Sequence, residues 1–213
     1  MKTVQDFQEN TIDPKALFRI GYGLYVVTAR QGERDNGMIA NAVMQVTNRP
    51  ERVVVALNKE SLTQEMIRAT GEMNISCLAS DAPYAVFERF GLQSGRTVSK
   101  FDGIEVERAA NGIALYREHA NAYLSLRVEE TTDLGTHMLF LCSVTASAVL
   151  SDKQTMTYDD YHRYVKPKPT PLKTKGYVCR ICGYVYEGEP LPPDFICPLC
   201  AHGAADFEPI PAE

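Results

Sequence analysis

The chain has 213 residues, of which 45% are hydrophobic and 23% charged, and its formal net charge is −5. That length holds one ordinary domain plus a small one, and that balance excludes a disordered chain. A net negative chain does not suit a nucleic-acid backbone, and apolar runs such as Val53 to Leu57 and Met138 to Leu141 are too short to span a bilayer. Neither nucleic acid nor membrane is expected as a partner. Met1 to Asn10 is polar and mixed rather than a signal segment, so a cytoplasmic location is expected.

Asp13-Pro14 reads as an N-cap with proline at the first helical position, opening a short helix from Lys15 to Ile20 that stops at Gly21. Strands are predicted for Leu24 to Thr28, Val53 to Leu57, Asn74 to Ala79 and Met138 to Val149. Tyr123 to Val128 alternates, with Leu124, Leu126 and Val128 on one face. Two short helices interrupt the strands. One runs from Ser61 to about Ala69 before Gly71, opened by Ser61 and Gln64 as a capping box; the other follows Asp81 and Pro83 to about Phe90. Many short strands with few helices predict a mainly β fold, a closed or partly closed barrel.

Charge divides the chain into three. Residues 1–150 hold 15 Lys and Arg against 18 Asp and Glu, residues 151–175 hold 6 against 3, and residues 176–213 hold 1 against 6. The middle segment ends in Lys166-Pro167-Lys168-Pro169-Thr170-Pro171, which suits neither strand nor helix, so 151–175 reads as a linker between two domains, 1–150 and 176–213.

Cys77 and Cys142 lie inside apolar runs and are expected to be buried thiols. The other four cysteines form two C-x-x-C pairs, Cys179 with Cys182 and Cys197 with Cys200, and fourteen residues separate Cys182 from Cys197. Each pair folds into a tight loop with both thiolates on one side, and two such loops complete a tetrahedral sulfur site. Gly183 lets the backbone turn amides toward sulfur. Spacing leaves iron and zinc both open. The surrounding residues, Tyr177-Val178-Cys179, Gly183-Tyr184-Val185-Tyr186, Leu191-Pro192-Pro193-Asp194-Phe195-Ile196-Cys197-Pro198 and Asp206-Phe207-Glu208-Pro209-Ile210, resemble the rubredoxin family. That resemblance implies one iron atom, cycling between ferric and ferrous, above a small aromatic core. The segment departs from the family at Ala201, where glycine is usual, and in its short connection between the pairs.

In the first domain, the strand through Leu57 leads to Asn58, Lys59 and the N-terminus of a helix capped by Ser61. Free N–H groups and a lysine at a helix start are suited to a phosphate; read alone, they fit a plain cap and a solvated lysine better. Five stretches in order, however, resemble the flavin-reductase-like family of FMN-binding split β-barrels. They are Gly23 to Thr28, Asn36 to Thr47, Asn58-Lys59-x-Ser61-x-Thr63, Ser94-Gly95-Arg96 with Lys100-Phe101, and Gly135 to Leu141. The resemblance implies FMN and a homodimer. By it, Thr28, Asn36, Ile39, Ala40, Asn41 and Ala42 lie along the flavin ring, and Asn58, Lys59, Ser61 and Thr63 hold the phosphate. Ser94, Arg96 and Lys100 close the site, and His137 stands near the ring. Thr136 replaces the aspartate usual before that histidine, which leaves a structural role for His137 equally open.

No side chain is expected to perform acid–base or nucleophilic catalysis, because the cofactors carry the chemistry. No Gly-x-Gly-x-x-Gly joins a strand to a helix, so NADH is expected as a transient donor lying against the flavin. A flavin domain followed by a rubredoxin domain resembles the high-molecular-weight rubredoxin family. It implies electron flow from NADH through FMN and iron to an acceptor such as a flavodiiron nitric oxide or dioxygen reductase. The alternative is a flavin reductase with a structural zinc module at its C-terminus.

Overall fold

The computed structural model describes residues 14–17, 19–167, 176–180, 184–197 and 202–210. They form two units, Met1–Val165 and Lys166–Glu213. In the first, helix α1 (Pro14–Leu17) precedes strands β1 (Tyr25–Gln31), β2 (Arg34–Ala40), β3 (Val43–Asn48) and β4 (Glu51–Asn58). Helix α2 (Leu62–Thr70), β5 (Glu72–Leu78), α3 (Tyr84–Gly91) and the short pair β6 (Glu107–Arg108) and β7 (Ala114–Leu115) follow. Two long strands, β8 (Ala120–Asp133) and β9 (His137–Val149), complete the sheet.

Seven of these strands pair antiparallel in the order β2-β1-β5-β8-β9-β4-β3. Flat, such a sheet would hold its edge strands about 29 Å apart at the usual spacing. Yet β2 and β3 are the two edges, and only Asn41 and Ala42 lie between them in sequence, a reach of about 11 Å. The sheet therefore curls until its edges face each other without pairing, and the result is a split barrel. Its interior holds Val27, Val55, Leu57, Met73, Ile75, Leu126 and Phe140, with Met66 and Ile67 of α2 packed among them.

A second apolar cluster covers the outside of β1. Leu24, Val26 and Leu78 pack there against Phe87 and Phe90 of α3, Tyr116 and Met156. Strand β1 is thus buried on both faces, and its run of apolar residues without alternation follows from that.

The predicted strands at 24–28, 53–57, 74–79, 123–128 and 138–149 all form, each with boundaries shifted by a few residues. α2 is capped as expected at Ser61, whose hydroxyl accepts from the Gln64 amide at 3.2 Å, and it ends at Gly71 in the left-handed conformation. The capping box is only half formed: the Ser61 amide donates to the Asn58 carbonyl, and Gln64 turns inward.

The expected boundary at 150 moves to 165. Residues 151–165 are part of the barrel unit: Thr155 bridges Ala79 and Thr157 bridges Gly23. Met156, fully buried, both donates to Leu78 O and accepts from Leu24 N. A short helix α4 (Tyr158–Asp160), capped by Thr157, and a π-helical turn from Tyr161 to Val165 follow. Of the proposed linker, residues 168–175 lie outside the described residues, as does Asp13 of the expected first cap.

The second unit has a three-stranded sheet, β11 (Val185–Tyr186), β10 (Tyr177–Cys179) and β12 (Phe207–Pro209), in that order. Its core is Cys179, Cys197 and Phe207 ringed by Tyr177, Tyr184, Tyr186, Leu191 and Phe195. No helix among the described residues is long and apolar enough to cross a membrane.

Candidate functional site

Four chain segments meet at one place, the N-terminus of α2 being the first. Asn36 of β2 donates its amide to the Thr63 hydroxyl at 3.0 Å, and both residues are buried. The Ser61 hydroxyl donates to Met38 Sδ at 3.2 Å. The loop carrying Ser94, Gly95 and Arg96 arrives from another direction: Arg34 donates to Gly95 O at 2.5 Å, and Arg96 Nη2 lies 3.5 Å from Glu60 O. A Cβ at Gly95 would stand 2.3 Å from Asn36 Oδ1, so no larger residue permits this approach. The turn between β8 and β9 supplies the fourth segment. Thr136 O accepts from the Lys59 amide at 3.1 Å, and Asp133 accepts from Lys59 Nζ at 2.7 Å. Beside the group a cleft of about 380 Å³ opens between residues 33–35 and Arg96–Ser99.

The structure thus brings together Asn36, Asn58, Lys59, Ser61, Thr63, Ser94 and Arg96, from segments that are far apart in sequence. His137 stands at the start of β9 opposite Asn58, its Nδ1 2.9 Å from Thr136 Oγ1. Asn41 and Ala42 form the crossing from β2 to β3, where Ala42 O accepts from the Ala56 amide.

Other expected contacts are committed elsewhere. Thr28 is fully buried and donates its hydroxyl to Ala114 O at 2.6 Å, across the outer cluster. The Ile39 side chain packs on that same cluster and Ala40 faces the barrel interior, so it is their backbone groups on the edge of β2 that are left for a ring. Lys100 is 5% exposed; its ammonium donates to Phe90 O near the end of α3 at 3.0 Å, and burial pushes its pKa down to about 8. Its sequence position beside Arg96 gives no sign of this inward turn.

Two site residues escaped the sequence reading. Asp133 holds Lys59, and Glu65 holds Arg96 through a direct ion pair. The hydrogen bond from Lys59, then that from the Gly135 amide, keeps the Asp133 carboxyl below its ordinary range; the Arg96 bond does the same for Glu65. Neither pairing leaves a sequence signal, because the partners are 74 and 31 residues apart.

The donor set fits a flavin phosphate. A lysine, an arginine, a serine hydroxyl and a helix N-terminus gather at one place, where a phosphate is favoured by both charge and dipole. Strand β2 is a sheet edge, paired only with β1, so one row of its backbone donors and acceptors is not used by the sheet. Edge amides at Gly37 to Ala40 suit the polar rim of a flat heterocycle.

In the second unit the two cysteine loops close alike. The Cys179 amide donates to Tyr184 O and the Cys197 amide to His202 O, both at 2.8 Å and both across five residues. Cys179 and Cys197 are each 1% exposed and share one cluster with Phe207. Phe195 lies at the centre of the aromatics, 4.7 Å from Tyr186 and 5.3 Å from Phe207 between ring centroids. Soft thiolates screened from water in an aromatic shell suit iron. Cys182 and Cys200, the other two expected ligands, lie outside the described residues, as do Gly183 and Ala201. Cys142 is buried and Cys77 nearly so; burial lifts their thiol pKa values to about 12 and about 11, which keeps both protonated and inert.

A barrel whose helix end gathers cations and free amides, joined to a unit with buried thiolates, has the parts of a two-centre redox protein. Comparison with known proteins agrees. Residues 17–166 match the flavin reductase like domain family, and residues 177–208 match the rubrerythrin, rubredoxin-like domain family. A high molecular weight rubredoxin of Moorella thermoacetica is 38% identical, covering 93% of this chain and all of the relative. A ferric-chelate reductase (NAD(P)H) of Archaeoglobus fulgidus is 37% identical, over 78% of this chain and 98% of the relative. Among solved structures, an FMN-binding protein of Thermus thermophilus superposes with a TM-score of 0.60 at 19% identity, over 90% of this chain and 94% of the other, and so shares the fold. The chain belongs to the flavin reductase-like family and, in its two-domain layout, to the high-molecular-weight rubredoxins. Its cofactors are FMN in the barrel and iron in the C-terminal unit.

Proposed function

We propose that this protein takes electrons from NADH and delivers them one at a time, through its flavin and its iron, to a separate acceptor protein of the flavodiiron type. The observation that supports this most is the presence of both cofactor-holding units in one chain. Bound flavin accepts the two electrons of a hydride and releases them singly, which is what a one-electron iron centre requires.

The residues' part in this is positioning. Lys59, Ser61, Arg96 and the first amides of α2 hold the phosphate, and the edge of β2 lies along the ring. Asn36 and Thr63, bonded to each other, fix β2 against α2. Cys179, Cys182, Cys197 and Cys200 hold the iron, and the Phe195 cluster keeps water from it. Residues 166–175 join the units and keep the two centres at high effective concentration. The barrel pairs with a second copy; the exposed edge strand β3, with Met44 and Val46 outward, supports such pairing. Glu187, Glu189 and Asp194, exposed near the cysteine loops, give the docking end a negative field that speeds encounter with a basic acceptor.

Replacing Cys179 with Ser tests this. The variant should lose the ferric-thiolate absorption, retain its flavin and be reduced by NADH as fast as the parent. Delivery to a flavodiiron acceptor should fall at least a hundredfold. Full delivery without the iron chromophore would remove iron from the route.

A further inference from the structure

Arg96 and Glu65 carry more than a surface ion pair. Glu65 is the acidic residue of the first turn of α2, the same helix end that gathers Lys59 and Ser61. Arg96 reaches that turn from a separate loop, is bonded to Glu65, and touches the Glu60 carbonyl as well. Hydrogen bonding from Arg96 holds the Glu65 carboxyl below its ordinary range, so it is ionised at neutral pH. The carboxylate is thus the standing partner of a cation that a phosphate at this helix end also needs. Lys59 differs: its partner Asp133 sits on the β8–β9 turn, where it also accepts from the Gly135 amide, and so serves the turn.

We propose that Glu65 is a built-in competitor for Arg96 that loosens the grip on flavin phosphate and sets how firmly this chain retains FMN. The inference rests on the phosphate placement given above. Exchange of partners is cheap here, because the Arg96 and Glu65 side chains are each about half exposed and such pairs contribute little to folding. A substitution at Glu65 therefore leaves the fold in place. Giving up an exposed ion pair of this kind to free Arg96 for the phosphate corresponds to a change of about two- to fivefold in affinity.

The test is flavin release from the full-length holoprotein, read as the rise in free-flavin fluorescence on dilution. FMN and riboflavin, which lacks the phosphate, are compared. Glu65→Gln should hold FMN about two- to fivefold more tightly and bind riboflavin as the parent does. In an Arg96→Gln background the gain from Glu65→Gln should shrink to less than half. Unchanged FMN affinity in Glu65→Gln, or an equal gain for riboflavin, would overturn the proposal. Lys59→Ala combined with Ser61→Ala separates the two levels. If that variant sheds FMN while Glu65→Gln is neutral, only the competition fails. If it retains FMN like the parent, the phosphate placement fails and the competition with it.

Discussion

The residues gathered at α2 in the barrel and those around the cysteines of the C-terminal unit come together over very different sequence distances. Around α2, Asn36 meets Thr63 across 27 residues, Arg96 meets Glu65 across 31, and Lys59 meets Asp133 across 74. In the C-terminal unit the two closures that position Cys179 and Cys197 each span five residues, and the whole core lies between Tyr177 and Phe207. The barrel site exists only once seven strands have paired. The metal site is written locally, in a unit whose small core leaves metal ligation to supply much of its stability. A cofactor site made by the fold should fail when the fold is weakened, while one made by ligands should fail when a ligand is lost.

That contrast is most severely tested by cutting the chain. A protein ending at Leu150 loses Met156 from the outer cluster, the Thr155–Ala79 and Thr157–Gly23 bridges, and the backbone bonds from Ser80 and Leu24 to this segment. It should be destabilised by more than about 4 kcal/mol, from cavity and unpaired backbone terms together. Urea unfolding followed by flavin release should show this, while a chain ending at Lys166 unfolds as the barrel does in the parent. Equal midpoints for the two truncations would break the contrast. Met156→Ala in the full chain is the milder version. It should cost the barrel about 2–5 kcal/mol and leave the iron absorption unaltered.

Lys100 gives the smallest effect and a sign that can be checked. Burial lowers its pKa to about 8 in the folded protein, against an ordinary value near 10.4. Between these values the unfolded chain holds a proton that the folded chain has released, so stability rises with pH. Below about 8 both states are protonated, and the full cost of burying the charge is felt. Barrel stability should therefore climb by on the order of 1–3 kcal/mol from pH 8 to pH 10.4, and that climb should vanish in Lys100→Met.

Legibility in the sequence follows the same division. The cysteine loops are readable because ligand spacing and loop geometry are both local, and the aromatic residues around them form the core that the resemblance implied. In the barrel, the apolar runs of β1, β4, β5, β8 and β9 and the Ser61 cap and Gly71 stop of α2 are equally local. Residues 151–165 are not. They look like a linker because one buried methionine among polar residues sets no period, and their pairing partners lie some 75 and more residues away. Thr28 and Lys100 show the opposite limit. Each belongs to a stretch that resembles a flavin contact, yet each spends its polar atom on a backbone carbonyl inside the outer cluster. Glu65 and Asp133 are ordinary acids in sequence, and only the converged fold makes them partners of the site cations.

The central claim is that flavin and iron lie on one route. It is tested most directly by recording the visible spectrum of the full-length protein during anaerobic titration with NADH. Flavin and ferric-thiolate absorption should both bleach, without added mediator, and both should return when an electron acceptor is admitted. Bleaching of the flavin bands while the ferric-thiolate bands persist would contradict the account.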